Sequence, residues 1–145
     1  MSTPTPTGPT PTPPGGELLP LISLAVEHVF DTLGRQSVFA PTILAVTADG
    51  QRGMWEHPDL EPKQAAATVA KISPRPTRAV AVFDGEIETA DGPRPAVAVE
   101  AFDAAALAST RMVFPYLPGV AAAGIAARVD GDPQVVANGP NPLFG

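Results

Sequence analysis

The chain contains no cysteine and has few basic residues. The absence of cysteine excludes disulfide bonds, thiolate catalysis and cysteine-ligated zinc. Lys and Arg number 9 against 15 Asp and Glu, which gives a net charge of −6. A nucleic acid or an anionic membrane would bind a positively charged surface instead. We therefore expect no nucleic-acid and no membrane partner.

Long hydrophobic runs are also absent. The longest, Leu18–Val26, is far too short to span a bilayer. The N-terminus lacks the basic segment followed by an apolar one that marks a signal peptide, so we expect a cytoplasmic protein. With 145 residues, of which 44% are hydrophobic, the chain can form one domain around a core.

Residues 2–16 contain only Ser, Thr, Pro and Gly. Such a segment buries no apolar area, so nothing offsets the entropy lost on ordering it, and its prolines favour polyproline II. A groove that reads PxxP motifs usually also requires a flanking Arg or Lys, which this segment lacks. We predict a disordered Pro/Thr-rich tail over residues 1–16, one domain over 17–117, and a C-terminal extension or edge hairpin over 118–145.

Two segments have the apolar periodicity of amphipathic helices. The first covers residues 17–33, and Gly34 is expected to end it in a left-handed conformation. The second, shorter helix is predicted over Glu61–Ile72, with Asp59 or Glu61 leading into it. These two helices are the only ones that the pattern indicates clearly.

Five segments rich in β-branched and apolar residues predict strands: Val38–Thr47, Arg52–His57, Thr77–Glu88, Arg94–Asp103 and Ser109–Leu117. Asp49-Gly50 between the first two is typical of a hairpin turn. The order α-β-β-α-β-β-β resembles the profilin/roadblock-like arrangement over about residues 17–117. We expect an α+β fold with two helices and a mixed or antiparallel sheet of about five strands. Because proteins with this fold serve as sensors, as scaffold proteins and as enzymes, this resemblance implies no activity.

Carboxylates alternate along the segment Phe83–Gly92, which lies between two apolar runs. Asp84, Glu86 and Glu88 continue the phase of the valines before them, and so would face the core unless the strand changes phase. Either Gly85 marks a β-bulge that turns Glu86 and Glu88 to water, or the strand breaks at Asp84-Gly85. The ligand spacing of a calcium loop is absent. We interpret the segment as the solvated end of a hairpin, without a metal or acid–base role.

No other pattern indicates catalysis or a cofactor. The two histidines, His28 and His57, are too few for a histidine-rich zinc site within one chain. No serine lies in a nucleophile motif, and no phosphate-binding glycine loop occurs. Trp55 and Tyr116 are interpreted as core residues. We therefore expect no catalytic residue, no metal site and no cofactor.

The last three predicted strands are apolar on both faces. If the alternating valines form the core face, a monomer would normally keep the opposite face polar. Glu100 and Arg111 could pair across strands there. Either a helix of the chain covers this second sheet face or another protein does. We predict an interaction face formed by Ala81, Phe83, Ala98, Glu100, Phe102, Arg111 and Val113.

These features favour a non-catalytic association or scaffold domain. It would act as a homo-oligomer or as a subunit that docks on a protein partner. The alternative is a small-molecule-binding sensor domain with an apolar pocket between helix and sheet. A small enzyme of unknown reaction is the third hypothesis.

Overall fold

The computed structural model describes residues 13–34 and 39–145, so most of the predicted tail lies outside the described residues. The described chain has an α+β fold in which two helices pack on an antiparallel sheet. The helices are α1 (Leu19–Leu33) and α2 (Ala65–Ala70). The strands are β1 (Thr42–Val46), β2 (Arg52–Glu56), β3 (Arg78–Thr89), β4 (Gly92–Asp103), β5 (Ser109–Leu117), β6 (Arg128–Val129) and β7 (Gln134–Gly139).

The α+β class is confirmed, whereas the strand count and strand order differ from the prediction. The sheet has seven strands in the order β2-β1-β3-β4-β5, and both β6 and β7 pair with the outer edge of β5. The additional strands come from the C-terminal extension, which returns antiparallel along β5. The sequence predicts an extension or edge hairpin here without strand bounds, and β6, with only two residues, is too short to show an alternation.

Helix α1 packs on the face of the sheet that carries the alternating valines. Its buried side chains contact Val80, Val82, Val97 and Val99 in the first core. Removing one such side chain from water contributes roughly 1.5–3 kcal/mol. The expected left-handed end of α1 is wrong. Gly34 has a φ of −71° and continues the right-handed turn, because its N–H still bonds to the carbonyl of Phe30.

A second core fills the opposite face of the sheet. It contains nine buried residues from the sheet, α2 and the C-terminal segment: Ile43, Ala45, Ala65, Val69, Ala79, Ala81, Phe83, Phe102 and Leu143. Glu61 leads into the short helix, because its N–H bonds to Gln64 Oε1 at 3.1 Å in a capping box. The regular helix is shorter than predicted, since its first turn over Pro62–Gln64 is a 3₁₀ turn.

The predicted bulge or strand break at Gly85 is wrong. The β3–β4 register runs without a shift from Arg78 opposite Asp103 to Thr89 opposite Gly92. Because the register does not shift, Asp84, Glu86 and Glu88 keep the phase of the valines, and the burial of β3 ends at Phe83. Their side chains are exposed because the hairpin continues beyond the buried part of the sheet. No bulge is therefore required to bring these carboxylates into contact with water.

Candidate functional site

The residues predicted to form an interaction face lie side by side on the second sheet face. Glu100 of β4 pairs with Ala81 on one side and with Arg111 on the other. In the next row, Ala98 lies between Phe83 and Val113. The cross-strand ion pair is confirmed, with Arg111 Nε donating to Glu100 Oε2 at 2.8 Å. Three neighbouring strands, β3, β4 and β5, each with a period of two residues, bring these side chains together.

Much of this face is occupied by the chain itself. Ala81, Phe83 and Phe102 are buried in the second core with Val69 of α2 and Leu143 of the C-terminal segment. Ala98 and Arg111 are half-buried, so they are the more accessible part of the predicted face. A contact of this face with another protein stays a prediction.

Glu100 is a buried carboxylate whose two oxygens both accept hydrogen bonds. Ser109 Oγ donates to Oε1 at 2.8 Å, and the Arg111 guanidinium binds Oε2. Gly139 of β7 closes the site, because a Cβ there would lie 3.1 Å from Ser109 Oγ. A serine that donates to a carboxylate, with no histidine beside it, is not arranged as an activated nucleophile. These two hydrogen bonds instead join β5 to β4 beside β7.

Tyr116 and Asp84 form the second polar contact of interest. Tyr116 Oη donates to Asp84 Oδ1 at 3.1 Å, at the border of the first core. The ring of Phe30 packs edge-on against it, with centroids 5.7 Å apart. Burial of the phenol, then the charge of Asp84 and the hydrogen bond to it, raise the pKa of Tyr116 to about 12. The burial of Tyr116 and its contact with Asp84 therefore stabilise the neutral form of the phenol.

The raised pKa predicts a direct titration result, because Tyr116 is the chain's single tyrosine. Its tyrosinate absorbance should appear with a midpoint near pH 12 rather than near 10. A raised folded-state pKa means that the stabilisation is present below pH 10 and is lost as pH rises towards 12. Asp84→Asn should lower the midpoint but leave it above 10, since burial is the largest cause. A wild-type midpoint near 10 would contradict the buried position.

An open groove lies between α1 and the β1–β2 hairpin. Helix α1 packs mainly on β3 and β4, which leaves this end of the sheet less covered. The groove encloses about 660 Å³. Its walls combine apolar and ionisable side chains: Leu21, Leu24, Leu44, Met54, Glu27, His28, Asp31 and Arg52. Of the predicted interaction-face residues, none lines it.

Strand β2 exposes two large apolar side chains at the edge of the sheet. Met54 is 51% exposed and Trp55 is 41% exposed, so the interpretation of Trp55 as a core residue is wrong. Met54 pairs with Leu44 on the groove side, and Trp55 pairs with Ile43 on the second sheet face. The indole lies over Gly53, where a Cβ would come within 2.5 Å of the ring. Sequence patterning missed this exposure because it does not reveal which strand is at an edge.

Within residues 13–34 and 39–145, no group of three or more acidic or histidine side chains could hold a metal ion. No helix in that part of the chain is long and apolar enough to cross a membrane. Comparison with known proteins finds no matching family model, no similar curated protein and no similar solved structure.

Proposed function

We propose that this chain is a non-catalytic association domain of the cytoplasm. It binds a protein, either another copy of itself or a partner, through the β2 edge, defined as the backbone and side chains of Arg52–Glu56. The observation that carries this proposal is the exposure of Met54 and Trp55 on opposite faces of one edge strand. No strand pairs with the outer side of β2 in the part of the chain that the structure describes.

The β2 edge leaves both large apolar side chains and one side of its backbone in water. An edge strand presents unpaired N–H and C=O groups, and soluble proteins normally protect such an edge. Burying a large apolar side chain contributes roughly 1.5–3 kcal/mol, and Trp residues often dominate the affinity of protein interfaces. A partner strand at β2 would bury Trp55 and Met54 while pairing the backbone, as in β-strand addition.

The second sheet face contributes less to this proposal than the β2 edge does. Its aromatic residues already pack against α2 and the C-terminal segment. A protein that contacts this face would meet mainly Ala98 and Arg111, unless those covering segments move. The proposal therefore centres on the β2 edge, which needs no rearrangement.

Photo-crosslinking in growing cells tests the proposed function. A photoreactive amino acid in place of Trp55 should give a discrete covalent product on irradiation. The mass of the product distinguishes a second copy from a partner protein. The matched control places the same group at Leu107, which is exposed but lies far along the chain from β2. If position 55 gives no discrete product, or only the products that position 107 gives, the β2 edge is not an association surface.

The groove supports a second candidate, the small-molecule sensor domain. Its volume of about 660 Å³ lies in the range of ordinary ligand sites, which combine apolar walls with a few polar groups. A suitable ligand would raise the melting temperature in a thermal-shift screen of metabolites. Leu24→Trp should abolish that rise by filling the groove. A screen without any shift, or a shift that Leu24→Trp leaves unchanged, would contradict a ligand site there.

A further inference from the structure

The hydrogen bonds at the two ends of the β1–β2 pair show which way the backbone of β2 faces. Thr47 N–H donates to the Gln51 carbonyl at 2.9 Å, and His57 N–H donates to the Pro41 carbonyl at 2.7 Å. Hydrogen-bonded and non-hydrogen-bonded pairs alternate in an antiparallel ladder. Because residues 51 and 57 bond towards β1, residues 53 and 55 do so as well. The N–H and C=O groups of residues 52, 54 and 56 therefore point to the free edge.

We propose that β2 pairs antiparallel with β2 of a second copy of this chain, about a two-fold axis at Met54. This inference rests on the proposed function and deepens it by naming the partner and the register. In this register Arg52 lies opposite Glu56 of the second copy, and Gly53 lies opposite Trp55 of the second copy. The two copies form one continuous sheet through their β2 edges.

The backbone favours this register over its neighbours. With the axis at Met54, each outward-facing residue of one copy meets an outward-facing residue of the other. Every free N–H and C=O of Arg52, Met54 and Glu56 then has a partner. If the axis lay at Gly53 or Trp55, the residue at one end of β2 would face a position outside β2 of the second copy. A symmetric interface of this kind uses the same patch on both copies.

The charges favour the same register. Arg52 and Glu56 are exposed, and neither makes an ion pair within residues 13–34 and 39–145. They cannot pair with each other, because four residues of an extended strand separate them by roughly 13 Å. The two-fold axis places each opposite the other residue of the second copy. Opposite charges facing each other across strands stabilise a pair, and like charges destabilise it.

The bulky side chains are also compatible with this arrangement. The Trp55 indole lies over Gly53 of its own strand, and the position facing it across the interface is again a glycine. No side chain therefore competes with the ring for space. The opposite edge of the sheet offers no comparable match, because β7 contains no charged residue and the two-residue β6 contains Arg128 without an acidic residue.

A charge-reversal series measured by sedimentation equilibrium on the full chain tests the register. Wild type should dimerise, and Arg52→Glu or Glu56→Arg alone should weaken dimerisation about ten- to a hundredfold, because symmetry repeats each like-charge pair. The double variant should recover wild-type affinity to within a few-fold. Arg128→Glu, at an exposed site on β6 at the opposite edge of the sheet, changes the net charge by the same amount as Arg52→Glu and is its matched control. Circular dichroism on each variant checks that it is folded.

Mixing the two single variants gives the sharpest result. Each associates poorly alone, but in a mixture the carboxylates of one face the guanidinium groups of the other, so a one-to-one heterodimer should form. A monomeric wild type at every concentration would overturn the proposal and identify β2 as a short charged edge that blocks pairing. If wild type dimerises but the mixture forms no heterodimer, the register is wrong. A discrete crosslink from position 55 would still support the proposed function in either case.

Discussion

Replacing Phe102 by alanine should lower the free energy of unfolding by about 3–5 kcal/mol. Its side chain is 0% exposed and lies in the second core with Val69 of α2 and Leu143. Truncation loses the transfer free energy of the ring and leaves a cavity that the surrounding strands cannot close, because the interior is densely packed. Urea unfolding followed by circular dichroism measures the difference.

Phe144→Ala is the matched control for this experiment. Phe144 is 50% exposed, so its truncation should change the free energy of unfolding by no more than about 0.5 kcal/mol. Sedimentation equilibrium on the Phe102→Ala variant separates the two roles considered for this face. If truncation at Phe102 costs less than about 1 kcal/mol and weakens association, the face is an interface rather than an internal core.

The alternation of side chains along β3, β4 and β5 made one part of the fold predictable. Each strand has a period of two residues, so Val82 and Val99 share a face while Glu100 and Arg111 share the other, as the register places them. The hairpin at Asp49-Gly50 was predictable for a local reason as well. Gly50 has a φ of +87°, a conformation that glycine adopts at little cost.

Other features depend on where the helices and strands pack against one another. The periodicity of the sequence gives no information about that packing. The end of burial in β3 after Phe83 depends on how far the covering elements reach along the strand. The exposure of Trp55 depends on β2 being an edge strand, which follows from strand order rather than from the sequence of β2. The groove beside α1 arises because the helix packs mainly on β3 and β4 and covers β1 and β2 less.

The covering of the second sheet face was the least predictable feature. Leu143 lies outside any helix or strand, so no periodic pattern marks it as a core residue. The C-terminal segment that contains Leu143 is held in place by hydrogen bonds to residues far away in the sequence. Asn141 Nδ2 donates to the carbonyls of Asp103 and Ala106 at 2.8 and 2.6 Å. Long-range contacts of this kind have no local signature in the chain.

Leu143→Ala should accordingly destabilise the protein by about 2–5 kcal/mol, although the residue lies near the C-terminal end of the sequence. The side chain is 1% exposed, and the Arg75 guanidinium donates to the Leu143 carbonyl at 2.9 Å, which holds the backbone in place around the cavity. Leu107→Ala, at a leucine that is 79% exposed, should change stability by no more than about 0.5 kcal/mol. Thermal and urea unfolding of the two variants give the comparison. Equal stabilities would mean that the C-terminal segment does not cover the sheet in solution, and the second sheet face would then be open to a partner.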